Sequence, residues 1–137
     1  MSQPGQVEAP ADRRPDVELR LPADGAYVSV LRTLTAGLAA RLDFTIDDIE
    51  DLRIAVGEAC AMVLPEADPG SDLTGRFVLA PGRLAISVAV RAAHPSPPDH
   101  DSFAWQVLTT LASSATMSTA EGELVVTLVM APDSSGL

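Results

Sequence analysis

A chain of 137 residues has the length of one domain and can close a single core without a metal or disulfide staple. It is 47 % hydrophobic but only 4 % aromatic, with a formal charge of -10 at pH 7, so the core must be built from Ala, Val, Leu and Ile under an acidic surface. That charge disfavours direct contact with nucleic acid or anionic lipid and favours a basic protein partner, whose approach it accelerates.

Cys60 is the single cysteine and leaves no internal disulfide. No secretory leader is legible, and no apolar run approaches the ~20 residues of a membrane helix. A reduced, cytoplasmic location is expected.

In chain order, residues 1–15 hold three prolines, a glycine and mixed charge with almost no bulky apolar side chains, and are expected to form a disordered arm. Val17, Leu19 and Leu21 then alternate with polar neighbours, the period of a strand with one wet face, which Pro22 ends. After the turn Ala23-Asp24-Gly25, the residues Tyr27, Val30, Leu31, Leu34, Leu38 and Leu42 recur at helical steps and predict an amphipathic helix. Arg32 and Arg41 lie off that stripe and read as solvated surface.

Thr45 followed by Asp48 reads as a helix start with a capping-box-like pair, and Asp47 complements the helix dipole. Ile49, Leu52, Val56, Ala59 and Val63 form the stripe of this central helix, which Pro65 closes. Two strands are expected over Asp72–Ala80 and Arg83–Ala92, turned back on each other at Pro81-Gly82.

The segment His94–Asp101, HPSPPDHD, must be an irregular loop. Its histidines and aspartates invite a metal reading, but the stiff prolines, the lack of a third imidazole and the apolar setting of Cys60 argue against a zinc shell. Ser102 caps a short helix in which Phe103, Val107, Leu108 and Leu111 are expected to face inward. Trp105 and Gln106 fall on another side, with Trp105 read as a core or dimer residue rather than a ligand platform. Short and long strands follow at Thr116–Thr119 and Glu123–Met130, and residues 132–137 read as a tail. The element order predicts a two-layer α/β sandwich over residues 16–131, with a mixed, mostly antiparallel sheet and its helices on one face.

The run Asp48-Ile49-Glu50-Asp51-Leu52-Arg53-Ile54-Ala55-Val56-Gly57-Glu58-Ala59-Cys60 resembles the N-box of the histidine-kinase-like ATPase (GHKL) fold as found in RsbW-type anti-sigma factors, where a helix reading L-x-x-A-V-x-E-A-C runs along the nucleotide pocket. Ser102–Ala112 is similar to the late helix of the actinobacterial, anti-sigma-F-like members. The resemblance implies a dimeric regulator that holds an alternative sigma factor and releases it to a STAS-type anti-anti-sigma antagonist. Many such proteins also phosphorylate that antagonist on serine with Mg-ATP.

Carried over residue by residue, the resemblance makes Glu58 the carboxylate that accepts the substrate proton. The next family position on that face is a magnesium-binding asparagine, and here it is Met62, whose soft, neutral thioether is no substitute for a hard oxygen. A later family histidine is Glu66. The family's Asp-x-Gly-x-Gly turn maps onto residues 92–101, which contain no glycine, and a second glycine-bearing phosphate loop is absent. Proline-rich backbone has neither the φ freedom nor the N–H groups that cradle phosphate.

The expectation is therefore an anti-sigma factor with a degenerate nucleotide site, no bound cofactor, no metal, and sigma and STAS partners; Arg32 and its neighbours are candidate contacts by analogy. The alternative is an active Mg-ATP-dependent serine kinase with Glu58 as base. A third reading, an unrelated small α/β interaction domain, would gain from a fold lacking a groove between the central helix and the late loop. Glu58 itself reads equally as a functional carboxylate or as one paired with an arginine.

Overall fold

The computed structural model describes residues 14–132. Most of the arm expected over 1–15 and of the tail expected over 132–137 lies outside the described residues. Five strands and three α-helices follow one another as β1 (Val17–Pro22), α1 (Val28–Arg41), α2 (Ile46–Val63), β2 (Asp72–Ala80), β3 (Arg83–Arg91), α3 (Phe103–Leu111), β4 (Ser114–Ala120) and β5 (Glu123–Met130). The sheet order is β1-β2-β3-β5-β4. Each neighbouring pair is antiparallel, giving the expected two-layer sandwich with a sheet that contains no parallel pair among the described strands. β4 runs longer than the short strand expected at Thr116–Thr119.

Alternation along the strands sorts the two faces. Leu73 and Phe77 of β2, Leu84, Ile86, Val88 and Val90 of β3, and Leu124, Val126 and Leu128 of β5 pack into one core with the helices. The opposite face carries Glu18 and Arg76 in register with Ser87, Thr127 and Thr116. β3 is buried on both of its faces, as its small apolar sequence allows.

α1 enters the core through Leu31, Thr35 and Ala39, a line centred one position away from part of the expected stripe. Tyr27 and Val30 are instead 40 % and 45 % exposed. The shift has a packing reason: Leu31 reaches the sheet at Gly75, where a Cβ would stand 2.6 Å from its Cδ1. Glycine in mid-strand lets the helix sit close. The polar member of the line, Thr35, is satisfied by donating to the Leu31 carbonyl at 2.8 Å.

Between α1 and α2 the chain turns in a Schellman arrangement. Phe44 N donates to Ala39 O, Asp43 N donates to Ala40 O, and Asp43 takes the left-handed conformation at φ 62. The Thr45 hydroxyl then accepts from Asp48 N at 3.1 Å, the predicted N-cap of α2. These two caps fix where the central helix begins.

α3 corrects the sequence reading. Phe103 is 77 % exposed, Leu108 is fully buried, and Trp105 packs against the core. Leu108 and Leu111 pack on the core as expected and Trp105 joins them, while Phe103, expected inward, does not. Its start is set by Ser102, whose hydroxyl accepts from Trp105 N, and the indole meets His100 edge-on at 4.9 Å.

Candidate functional site

The C-terminal half of α2 is where the sequence places its chemistry. Ala55, Val56, Ala59, Cys60 and Val63 anchor the helix in the core, leaving Glu58, Met62 and then Glu66 to emerge on a neighbouring face at four-residue steps. Glu58 is half-buried and makes no hydrogen bond or ion pair with the other described residues. Among the described residues no arginine pairs with it.

Burial pushes the Cys60 thiol up from 9.0 to about 12, with the charge of Arg32 opposing. It is therefore a protonated core residue at neutral pH, not a nucleophile or ligand. Arg32 is the second correction to the sequence reading, which placed it on solvated surface. Its side chain lies over Gly57, 3.7 Å from where a Cβ would be, and its Nε is buried without an acceptor. A Cβ at Gly57 would meet only the Arg32 side chain, at ordinary van der Waals distance, so Arg32 packs over this position of α2 without requiring glycine there. Arg41 is exposed, as expected.

Beyond Glu58 the helix ends at a cavity of about 310 Å³. Ala61 and Met62 form its helical wall, Met117 and Leu124 its sheet wall, and Pro97, Pro98 and Ala104 its outer rim. Glu66 and Asp99 are the ionisable groups in the lining. A groove between the central helix and the late loop thus exists. Met62 lines it, while Glu58, one turn earlier, does not.

The loop over this cavity is fastened by the chain's own carboxylates. Glu66 accepts from Ser96 N at 2.7 Å and from the Ser96 hydroxyl at 3.3 Å. Asp68 accepts from Ala93 N at 3.0 Å, and Asp99 from Asp101 N at 3.0 Å. Pro95, Pro97 and Pro98 have no N–H to offer. Much of the backbone that could turn toward a phosphate is therefore already bound to an anion, and no arginine or histidine lines the cavity.

The same groups offer little to magnesium. Among the described residues no group of three or more His, Cys, Asp or Glu could hold a metal ion, and Met62 presents sulfur where a hard oxygen is needed. The residues of this cavity do not fit Mg-ATP bound through a phosphate cradle.

What the sequence reading missed is the role of Glu66. It appeared only as a departure from a family histidine, whereas it ties the proline-rich loop to the end of the central helix. Ser96 was the available signal, as the one N–H-bearing residue between Pro95 and Pro97.

No protein-family model matches the chain. It is 39 % identical over 80 residues to the serine-protein kinase RsbW of Bacillus cereus (strain ATCC 10987 / NRS 248), covering 57 % of this chain and 50 % of that protein. To the serine-protein kinase RsbW of Bacillus subtilis (strain 168) it is 38 % identical over 76 residues, covering 53 % and 48 %. The chain thus spans about half the length of the curated relatives it matches. Among solved structures, the RsbU and RsbW domains of Rv1364c from Mycobacterium tuberculosis share the fold, with a TM-score of 0.66 at 19 % identity over 86 % of this chain and 33 % of that one. Among the described residues no helix is long and apolar enough to cross a membrane.

Proposed function

We propose that this RsbW-like chain is an anti-sigma factor that sequesters an alternative sigma factor, yields it to a STAS-type antagonist, and has a degenerate nucleotide site. The observation that carries the reading is the 38–39 % identity to RsbW proteins. The net charge of -10 supports a basic protein partner. Tyr27 and Val30, apolar and exposed on α1, supply contact area near the region favoured by analogy. Association as a homodimer and a cytoplasmic setting complete the proposal.

The degenerate site is supported by the filled donors of the loop, by Met62, and by the lack of a cation in the cavity lining. In this reading the loop's carboxylate contacts take the place of phosphate contacts, and exchange between protein partners proceeds without phosphoryl transfer. Co-purification of the full chain with each sigma factor and STAS protein of its host tests the role. Recovery of a stable sigma complex is expected, and no complex with any of them overturns it.

A second reading, an active serine kinase, draws on one observation: Glu58 is a half-buried carboxylate that no described residue neutralises, as a general base must be. Calorimetric titration with Mg-ATP and Mg-ADP separates the two. The degenerate site gives no saturable heat, and saturable micromolar binding would overturn it, leaving transfer of phosphate to a STAS-protein serine as the test of the kinase reading.

A further inference from the structure

On the face of the sheet turned away from the helices, at the end where β1 leaves β2, a second recess of about 290 Å³ opens. Three arginines, Arg20, Arg76 and Arg91, converge on it with Asp72 and Glu123. With Glu18, which pairs with Arg76 and Arg20, three carboxylates balance the three guanidiniums, a locally neutral cluster in a strongly acidic chain.

The three cations are not equivalent. Arg76 is committed: its guanidinium meets Glu18 at 3.0 Å and Glu123 at 3.2 Å. Burial lowers its pKa, but the hydrogen bonds and charges of Glu123 and then Glu18 outweigh burial and raise it above its ordinary value. Arg20 has only distant contacts, 3.9 Å to Glu18 and 3.9 Å to Asp72. Arg91 stands directly across the ladder from Glu123, yet that carboxylate is taken by Arg76. The Arg91 side chain makes no ion pair or hydrogen bond with the other described residues.

Two further features are built around this charge. Gly122, at φ 79, leaves the space the Arg91 guanidinium occupies, since a Cβ there would stand 2.7 Å from Nη2. Ser71 presents a buried hydroxyl with no hydrogen-bond partner, although its N–H and C=O are held by Asp68 and Ala23. A buried hydroxyl left without a partner is uncommon in a folded protein, and Ser71 is one of the residues that line this recess together with Arg91.

We propose that this recess binds a small oxyanion, a phosphate or carboxylate group, held by Arg91 and Arg20 and receiving a hydrogen bond from the Ser71 hydroxyl. Arginine suits the task because its planar donors match two oxygens at once. The site lies on the other side of the sheet from the α2 cavity and does not depend on the function proposed above.

The test is a titration of the full chain, followed by amide and arginine Nε resonances, with inorganic phosphate and separately with acetate, against sodium chloride at matched ionic strength. Saturable shifts centred on Ser71, Thr74 and Arg91 are expected. Arg91→Gln should weaken binding at least about tenfold and Ser71→Ala about threefold, while Arg83→Gln, outside the recess, leaves it unchanged. Each variant's amide spectrum verifies that it is folded. A response to phosphate alone assigns a dianion, and a response to both assigns a carboxylate-sized group. Shifts that chloride reproduces, or that survive Arg91→Gln, overturn the proposal.

Discussion

The two recesses of this molecule, one on each side of the sheet, differ in what already occupies their donors. Beside α2, the loop N–H groups of Ala93, Ser96 and Asp101 are bound by Asp68, Glu66 and Asp99. Behind the sheet, Arg76 engages both Glu18 and Glu123, and Arg91 makes no ion pair with the other described residues. The contrast teaches that the position of a pocket in a fold does not fix its ligand. Donors in one recess can be filled by the chain's own acids, while arginines on the other side of the sheet are less fully engaged.

Phe77, on β2, is among the largest fully buried side chains of the single core between the sheet and the helices. Phe77→Ala should cost about 3–5 kcal/mol, and urea unfolding followed at Trp105 and at Arg91 should lose both regions at one midpoint. Two separate midpoints would break the view that one cooperative core positions them.

On the helix side, the raised Cys60 pKa makes a pH prediction. Below 9.0 the thiol is protonated in both folded and unfolded chains. Between 9.0 and about 12 only the folded state keeps its proton, so stability falls as pH rises through that window. The slope from this group is ~1.4 kcal/mol per pH unit. Urea unfolding at pH 8, 9 and 10 under reducing conditions should show it, and Cys60→Ala should be flatter by that amount.

Glu66→Ala removes both bonds to Ser96 and should cost about 1 kcal/mol, with loss of hydrogen-exchange protection at the Ser96 amide. If the filled donors are what exclude anions beside α2, this variant should gain weak phosphate-dependent shifts at Ser96 that the parent lacks. The smallest effect is expected at Glu58. With no partner to lose, Glu58→Gln should change stability by less than about 0.5 kcal/mol, and a larger loss in urea would restore the structural reading of that carboxylate.

Local rules made much of this fold legible. The Thr45 and Ser102 caps, the Pro81-Gly82 turn and the alternation of β3 depend on neighbours in sequence, and the elements stand where those signals lie. Positions where two local patterns competed were not legible. In α3, Phe103 and Trp105 compete for the core, and packing chiefly against α2 places Trp105 there with Leu108 and Leu111. Arg32 looked like surface because nothing in α1 reveals that its side chain packs over Gly57 of another helix.

For the site, the sequence by itself determined what is missing: a hard ligand at Met62, glycines and free N–H groups in residues 92–101. Those are properties of residue type, readable without coordinates. Only the tertiary structure decided what stands in their place. Glu66 meets Ser96 across 30 positions, and Arg76 draws Glu123 away from Arg91 across 47, because hydrogen bonds and ion pairs depend on distance in space, which the chain order does not encode.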